Sequence, residues 1–213
     1  MGFCLRLLAA TVMWSALFGA RIAHADVPRT PDGDGVVLGS GWSAAAPVQL
    51  EIFCEPQCSY CAQLESSYGD RVAGDLASGR LAVTYRWLTF LDGKRHNDVS
   101  GRIANALFVA ADPTTPATAY QAFVQDLYRH QSSDGPNNSD IAAMARESGV
   151  PEVLADRIAA GDYAVDAAAL NDANRARLAQ VNSANPGTPT VYDLKTNRVV
   201  DIQDPGWLDA LSS

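Results

Sequence analysis

Between Val36 and Leu88 the apolar positions change period twice. Val36-Val37-Leu38, and then Val48-Gln49-Leu50-Glu51-Ile52-Phe53, alternate or run apolar as strands do. From Cys58 onward, Cys61, Leu64, Tyr68, Val72 and Leu76 recur at spacings of three and four, which predicts one face of an amphipathic helix closed near Gly79. Leu81 to Leu88, rich in β-branched and aromatic residues, reads as strand again. Strand, helix, strand in this order predicts a parallel, right-handed crossover and an α/β fold.

Helical period then dominates from His96 to Val181. Val99, Ile103, Ala106, Leu107 and Ala110 form one stripe, and Tyr120, Phe123, Val124, Leu127 and Tyr128 a second. A cap at Ser139 or Asp140 opens a third helix, Pro151 a fourth, and the Ala-rich stretch Asp162 to Val181 predicts a long last one. His96 and Asp98 read as the opening of the first of these helices, and Tyr85, Trp87 and Phe90 as core. After Asn185-Pro186-Gly187, Thr190 to Leu194 and Arg198 to Ile202 predict a hairpin around Lys195-Thr196-Asn197. Asp204-Pro205 predicts the cap and first turn of a short helix carrying Trp207, Leu208 and Leu211. Asp26 to Gly35, rich in Pro, Gly and Asp, reads as a flexible leader.

The N-terminus reads as an address. Arg6 precedes the apolar stretch Leu7 to Ala20, and Ala23-His24-Ala25 has the small-x-small form of a cleavage site, so residues 1–25 are expected to be a signal peptide. A membrane span needs about 20 apolar residues, and Arg21 interrupts this stretch first. Export to a periplasm, cell envelope or extracellular space follows as an expectation. With 24 Asp+Glu against 16 Lys+Arg and a formal charge of −8, no basic cluster exists to bind nucleic acid.

Removing Cys4 with the signal leaves Cys54, Cys58 and Cys61 crowded together in a chain bound for an oxidising compartment. Cys58-Ser59-Tyr60-Cys61 puts two thiols one turn apart at a helix start, close enough to close a disulfide. The helix N-terminus favours an anion at the first position, so Cys58 is expected to have the lowered pKa and to attack, with Cys61 resolving. Ser59 and Tyr60 supply a hydroxyl at most. Two other readings of the pair are half of a zinc site and an inert disulfide. Zinc lacks further ligands beyond the scattered His96 and His130, and so small a loop stabilises little. Counting Cys54 gives C-x3-C-x2-C, which resembles the cluster-binding signature of radical SAM enzymes, but the export signal, the length and the single crossover unit oppose that reading. Cys54 itself reads either as a small apolar residue at a strand end or as a third thiol that attacks the pair or joins two chains.

Gly35-Val-Val-Leu-Gly-Ser40, Ala46-Pro47-Val48, Phe53-x-Glu55-x-x-Cys58-x-x-Cys61 and the distant Gly187-Thr188-Pro189-Thr190 together resemble the DsbA-like branch of the thioredoxin superfamily. The resemblance implies a thioredoxin-like fold spanning 36–213, with a helical insertion at about 96–182 between its βαβ and ββα halves. It also implies a cis Pro189 beside the cysteines and a Thr188 backbone that meets substrate. The sequence departs from the family where relatives carry a buried acid six residues before the first cysteine. Ile52 stands there, and Glu51 is expected to face the other side of the sheet. Ser59 fills a slot often held by proline, and Cys54 is not a family residue.

These features lead to an expected exported, monomeric thiol-disulfide oxidoreductase whose only redox group is Cys58-Cys61, with no metal or other cofactor. It is expected to form disulfides in unfolded or reduced secreted proteins and to be reoxidised by a partner, a membrane or small-molecule oxidant. A reductase or isomerase, or a non-catalytic binding or chaperone module on the same fold, are the alternatives.

Overall fold

A computed structural model describes residues 27–39 and 46–211. The expected signal peptide lies outside the described residues. Strands β1 (Val36–Leu38), β2 (Val48–Cys54) and β3 (Leu81–Trp87), with helix α1 (Ser59–Ala77) between β2 and β3, form the first half. Helices α2 (Phe90–Arg95), α3 (Val99–Ala110), α4 (Ala117–Arg129), α5 (Asn138–Glu147), α6 (Glu152–Ala160) and α7 (Ala167–Val181) follow. The chain closes with β4 (Thr190–Asp193), β5 (Arg198–Val199) and α8 (Trp207–Ala210). The sheet order is β1-β3-β2-β4-β5, with β2 parallel to β3 and every other pair antiparallel. This is a thioredoxin-like α/β fold with helices inserted between its halves. It is not the barrel that the radical SAM resemblance would call for.

The pleat of β2 sorts its residues onto two faces. Leu50, Ile52 and Cys54 join the large core beneath α1 and the inserted helices, whereas Phe53 packs with Leu88 and Leu178 under α7. Glu51 shares the α7 face, as expected. There it is buried between Arg86, whose Nε donates at 2.7 Å, and Arg177, whose Nη2 donates at 3.0 Å. Tyr85 and Trp87 are fully buried and stacked at 4.9 Å, and Phe90 packs at the edge of the smaller core.

Several boundaries differ from the sequence expectation for local reasons. The inserted helices begin at Phe90, and His96, with φ of 55°, ends α2 in the left-handed region instead of opening a helix. Asp98 occupies the N-cap position of α3 without a side-chain capping bond. Asn137 caps α5 in a reciprocal box with Asp140. Asp166 caps α7 by accepting from the Ala168 and Ala169 amides, so the expected helix from Asp162 starts five residues later. Gly206, not Asp204, is the N-cap of α8, and Asp204 accepts from its amide at 2.8 Å. Both hairpin strands are shorter than expected.

The stretch expected to be a flexible leader is packed from Val27 onward. Val27 is fully buried, Arg29 pairs with Val36, and the Arg29 guanidinium donates to the Phe108 carbonyl at 2.9 Å. Asn174 of α7 ties this stretch to the sheet. Its buried amide donates to the carbonyls of Asp34 and Trp87, both at 2.9 Å. Asn174→Ala leaves both carbonyls without that donor, and a loss of about 2 kcal/mol is expected, read as a lowered urea midpoint at unchanged slope. An unchanged midpoint would show that water takes over both bonds.

Candidate active site

Cys58 lies at the junction that β2, a short turn and α1 create. It is the N-cap residue of α1, in extended conformation, and is 8% exposed. Cys61, one turn deeper, and Cys54, the last residue of β2, are fully buried. Ser59 and Tyr60, the first residues of α1, face solvent, Tyr60 at 69% exposure. The Thr188-Pro189 peptide is cis, and the Cys58 thiol donates to the Thr188 carbonyl at 3.4 Å. That loop is held by the Thr190 hydroxyl, which donates to the Gly187 carbonyl at 2.7 Å. The structure therefore brings together Cys58, Cys61, Thr188 and Pro189, residues some 130 positions apart in the chain. An open groove of about 710 Å³ runs along the cis loop, lined among others by Tyr60, Gln63, Tyr68, Thr188, Pro189 and Ile202.

The turn before Cys58 is anchored by residues the motif does not reveal. The buried Gln57 carboxamide donates to Ser100 Oγ and Asp92 Oδ1, each at 2.8 Å, and accepts from Asn97 Nδ2 at 3.0 Å. Arg95 donates to the Gln57 carbonyl at 3.2 Å. Glu55, fully buried, accepts from the Gln57 amide at 2.7 Å and from the Ser100 hydroxyl, while Tyr128 donates to its carbonyl at 3.2 Å. Burial pushes the Glu55 carboxyl up to about 7, against the pull of those donors. Residues of α2, α3 and α4 thus fix the approach to Cys58, which gives the inserted helices a structural part in the site.

The electrostatics correct one expectation. The Cys58 thiol sits above its ordinary value, because it shares a hydrogen bond with Cys61 and is withdrawn from water. The Thr188 hydroxyl and the Cys61 amide act in the opposite sense and do not prevail. Burial likewise raises Cys61 and Cys54. The helix N-terminus alone is therefore not enough to make Cys58 a low-pKa thiol while Cys61 is reduced.

A second buried acid was hidden from the sequence. Glu65 follows Cys61 by four residues on α1, so the two lie on the same side of the helix. Its carboxyl meets the Tyr85 hydroxyl and the Gln121 carboxamide nitrogen, and the Tyr85 hydroxyl meets the Gln121 carboxamide oxygen, every contact at 2.8 Å. Three contacts close this ring, but Tyr85 and Gln121 bring only one proton each to it. Turning the Gln121 amide over moves the unfilled contact without removing it. Only a protonated Glu65 fills all three, in agreement with burial that pushes its carboxyl up to about 7.

Comparison with known proteins places these features in context. A thioredoxin family model matches residues 32–197. The serine/threonine-protein kinase PknE of Mycobacterium tuberculosis is 32% identical over 185 residues; the match covers 84% of this chain and 31% of the kinase, so the chain spans about a third of the length of these curated relatives. Among solved structures, the MdbA protein of Corynebacterium matruchotii, a thiol-disulfide oxidoreductase, superposes with a TM-score of 0.71 at 22% identity, covering 87% of this chain and 92% of that one. Reduced DsbA of Mycobacterium tuberculosis gives 0.64 at 22% identity, with 84% and 91% covered. At such identity the solved structures speak for the fold.

Proposed function

The chain belongs to the thioredoxin family and has a DsbA-like fold, and from that premise we propose that it is an exported protein thiol-disulfide oxidoreductase acting through Cys58 and Cys61. One observation carries the reading: the outermost of three clustered thiols, Cys58, stands at a helix N-terminus within hydrogen-bond distance of the cis Thr188-Pro189 loop, and that loop lines an open groove. A substrate chain lying in that groove meets Thr188, whose carbonyl the Cys58 thiol touches.

In the oxidising direction a substrate thiolate attacks Cys58 Sγ of the Cys58-Cys61 disulfide. The S–S bond breaks, Cys61 leaves with the electron pair and takes a proton, and a mixed disulfide remains on Cys58. A second substrate thiolate displaces Cys58, so the substrate gains a disulfide and the pair holds two electrons and two protons. A thiol-disulfide or membrane oxidant then restores the pair. Export rests on the sequence of residues 1–25, and a monomer working on reduced secreted proteins completes the reading. The phosphotransferase activity of PknE is not carried over, since the match covers a minor part of that protein.

The raised Cys58 thiol favours a second direction. Strong oxidants owe their potential to a stabilised thiolate in the reduced form, and among the described residues none of the groups that shift the Cys58 and Cys61 thiols is cationic. A moderate potential suits isomerisation or reduction as well as oxidation. Refolding of reduced ribonuclease by the oxidised chain decides between them: two substrate thiols lost per chain establish the oxidase. If those thiols persist while the reduced chain opens insulin disulfides, the direction is reductive. If neither occurs, the groove belongs to a binding module.

A further inference from the structure

Cys54 is left over by the exchange cycle, yet its surroundings are specific. The pleat of β2 turns it with Leu50 and Ile52 toward α1, into the same core as Cys58 and Cys61. Cys61 shares hydrogen bonds with the thiols of both Cys54 and Cys58, so it sits between two sulfur partners. The polar groups that act on the Cys54 thiol besides Cys61 include the Cys58 thiol, the Tyr128 hydroxyl and the carboxyl of Glu65, and none of these is cationic. Complete burial removes the reading in which Cys54 joins two chains, because it reaches neither a second molecule nor the substrate groove.

Resting on the reading of Cys58-Cys61 as a redox pair, we infer that Cys54 and Cys61 form a second, internal disulfide that exchanges with the first. The Cys54 sulfur attacks Cys61 of the Cys58-Cys61 disulfide, one S–S bond forms as the other breaks, and the proton of Cys54 passes to the released Cys58. No external oxidant is needed, since the electron count of the chain does not change. In the resulting state the oxidising equivalent lies out of reach of substrate, and Cys58 alone is presented as a nucleophile. When Cys58 then opens a substrate disulfide, Cys61 is already engaged and cannot resolve the mixed disulfide. Only a thiol of the substrate itself releases Cys58, so disulfides are rearranged without being reduced. One chain thereby has an oxidising form and an isomerising form.

The test uses the full chain carrying Cys58→Ser, equilibrated in oxidised and reduced glutathione, acid-quenched, denatured and alkylated. Cleavage after Tyr60 puts Cys54 and Cys61 on separate peptides. Both are expected to lose their label together and to appear as a single disulfide-linked pair of peptides. Full labelling of Cys54 under every buffer, with Cys61 either free or carrying glutathione, overturns the inference. Cys58→Ala serves in the same way if the serine variant does not fold, as judged by circular dichroism. The unsubstituted chain separates the two readings: absence of any disulfide at Cys61 removes the redox pair itself, whereas a Cys58-Cys61 disulfide there, with Cys54 still labelled in the variants, removes only the internal exchange.

Discussion

Cys58→Ser is expected to lower exchange with reduced ribonuclease by at least about a thousandfold, to the uncatalysed background, because serine cannot form the mixed disulfide through which both electrons pass. Cys61→Ser should behave differently. Its Cys58 still attacks a substrate disulfide, but no buried neighbour displaces the substrate in the usual way, so covalent complexes accumulate and are visible on non-reducing gels. The contrast follows from exposure: Cys58 is 8% exposed and touches Thr188, which lines the groove, whereas Cys61 is fully buried. Thiol reactivity of the reduced pair should also keep rising with pH beyond the range of an ordinary cysteine, since the hydrogen bond with Cys61 and burial hold Cys58 up. Retained exchange in Cys58→Ser would show that the reaction does not pass through Cys58.

The second large effect concerns stability. Glu65 ordinarily ionises near 4.5 and in the fold is pushed up to about 7. A carboxyl raised on folding carries no penalty below its unfolded value. As pH rises through the interval, the unfolded state releases its proton first and the native state is progressively disfavoured. The loss is complete above about pH 7 and amounts to about 3 kcal/mol. Glu65→Gln supplies the third proton of the ring permanently: its amide donates to Tyr85, Tyr85 to Gln121, and Gln121 to the new carbonyl. The variant should match the unsubstituted chain at pH 4 and exceed it by about 3 kcal/mol at pH 8, several degrees in Tm for a domain of this size. Glu55 titrates alike in both proteins and cancels in the difference. A difference that stays constant from pH 4 to 8 would mean that Glu65 ionises normally and that the ring is not proton-bound.

The parts of this site that were legible in the sequence are those written as contiguous motifs. Cys58 and Cys61 follow from one strand-to-helix transition, and Gly187-Thr188-Pro189-Thr190 enters a strand 130 residues later, so two short words located the reacting sulfur and the loop it touches. The β2-α1-β3 crossover was equally plain from its changes of period. Glu65 was not, because α1 is covered on two sides, by the sheet and by α4, and a stripe counted at threes and fours shows only one of them. Its partners Tyr85 and Gln121 come from β3 and α4, and nothing local connects the three. The same holds for Gln57, whose partners Asp92, Asn97 and Ser100 come from α2, the α2-α3 turn and α3, with no local signal in the sequence to connect them. Helix starts went astray where a side chain decides the boundary: Asn137 caps ahead of the expected Ser139 or Asp140, and Asp166 caps where composition alone continues the helix. The packed leader was missed because its contacts, Arg29 on Phe108 and Asn174 on Asp34, are made with residues far along the chain.

The central claim is that Cys58 and Cys61 are one reversible two-electron couple, and the most direct measurement is their redox equilibrium in glutathione buffers, read by peptide-resolved thiol trapping. Both are expected to lose their label over a single transition, at a potential between about −180 and −270 mV, since among the described residues none of the groups that shift the Cys58 thiol is cationic. Such a value still lies above the roughly −300 mV of structural disulfides in secreted proteins, so disulfides can be passed on. Two cysteines that remain independently labelled thiols across every glutathione ratio would contradict it.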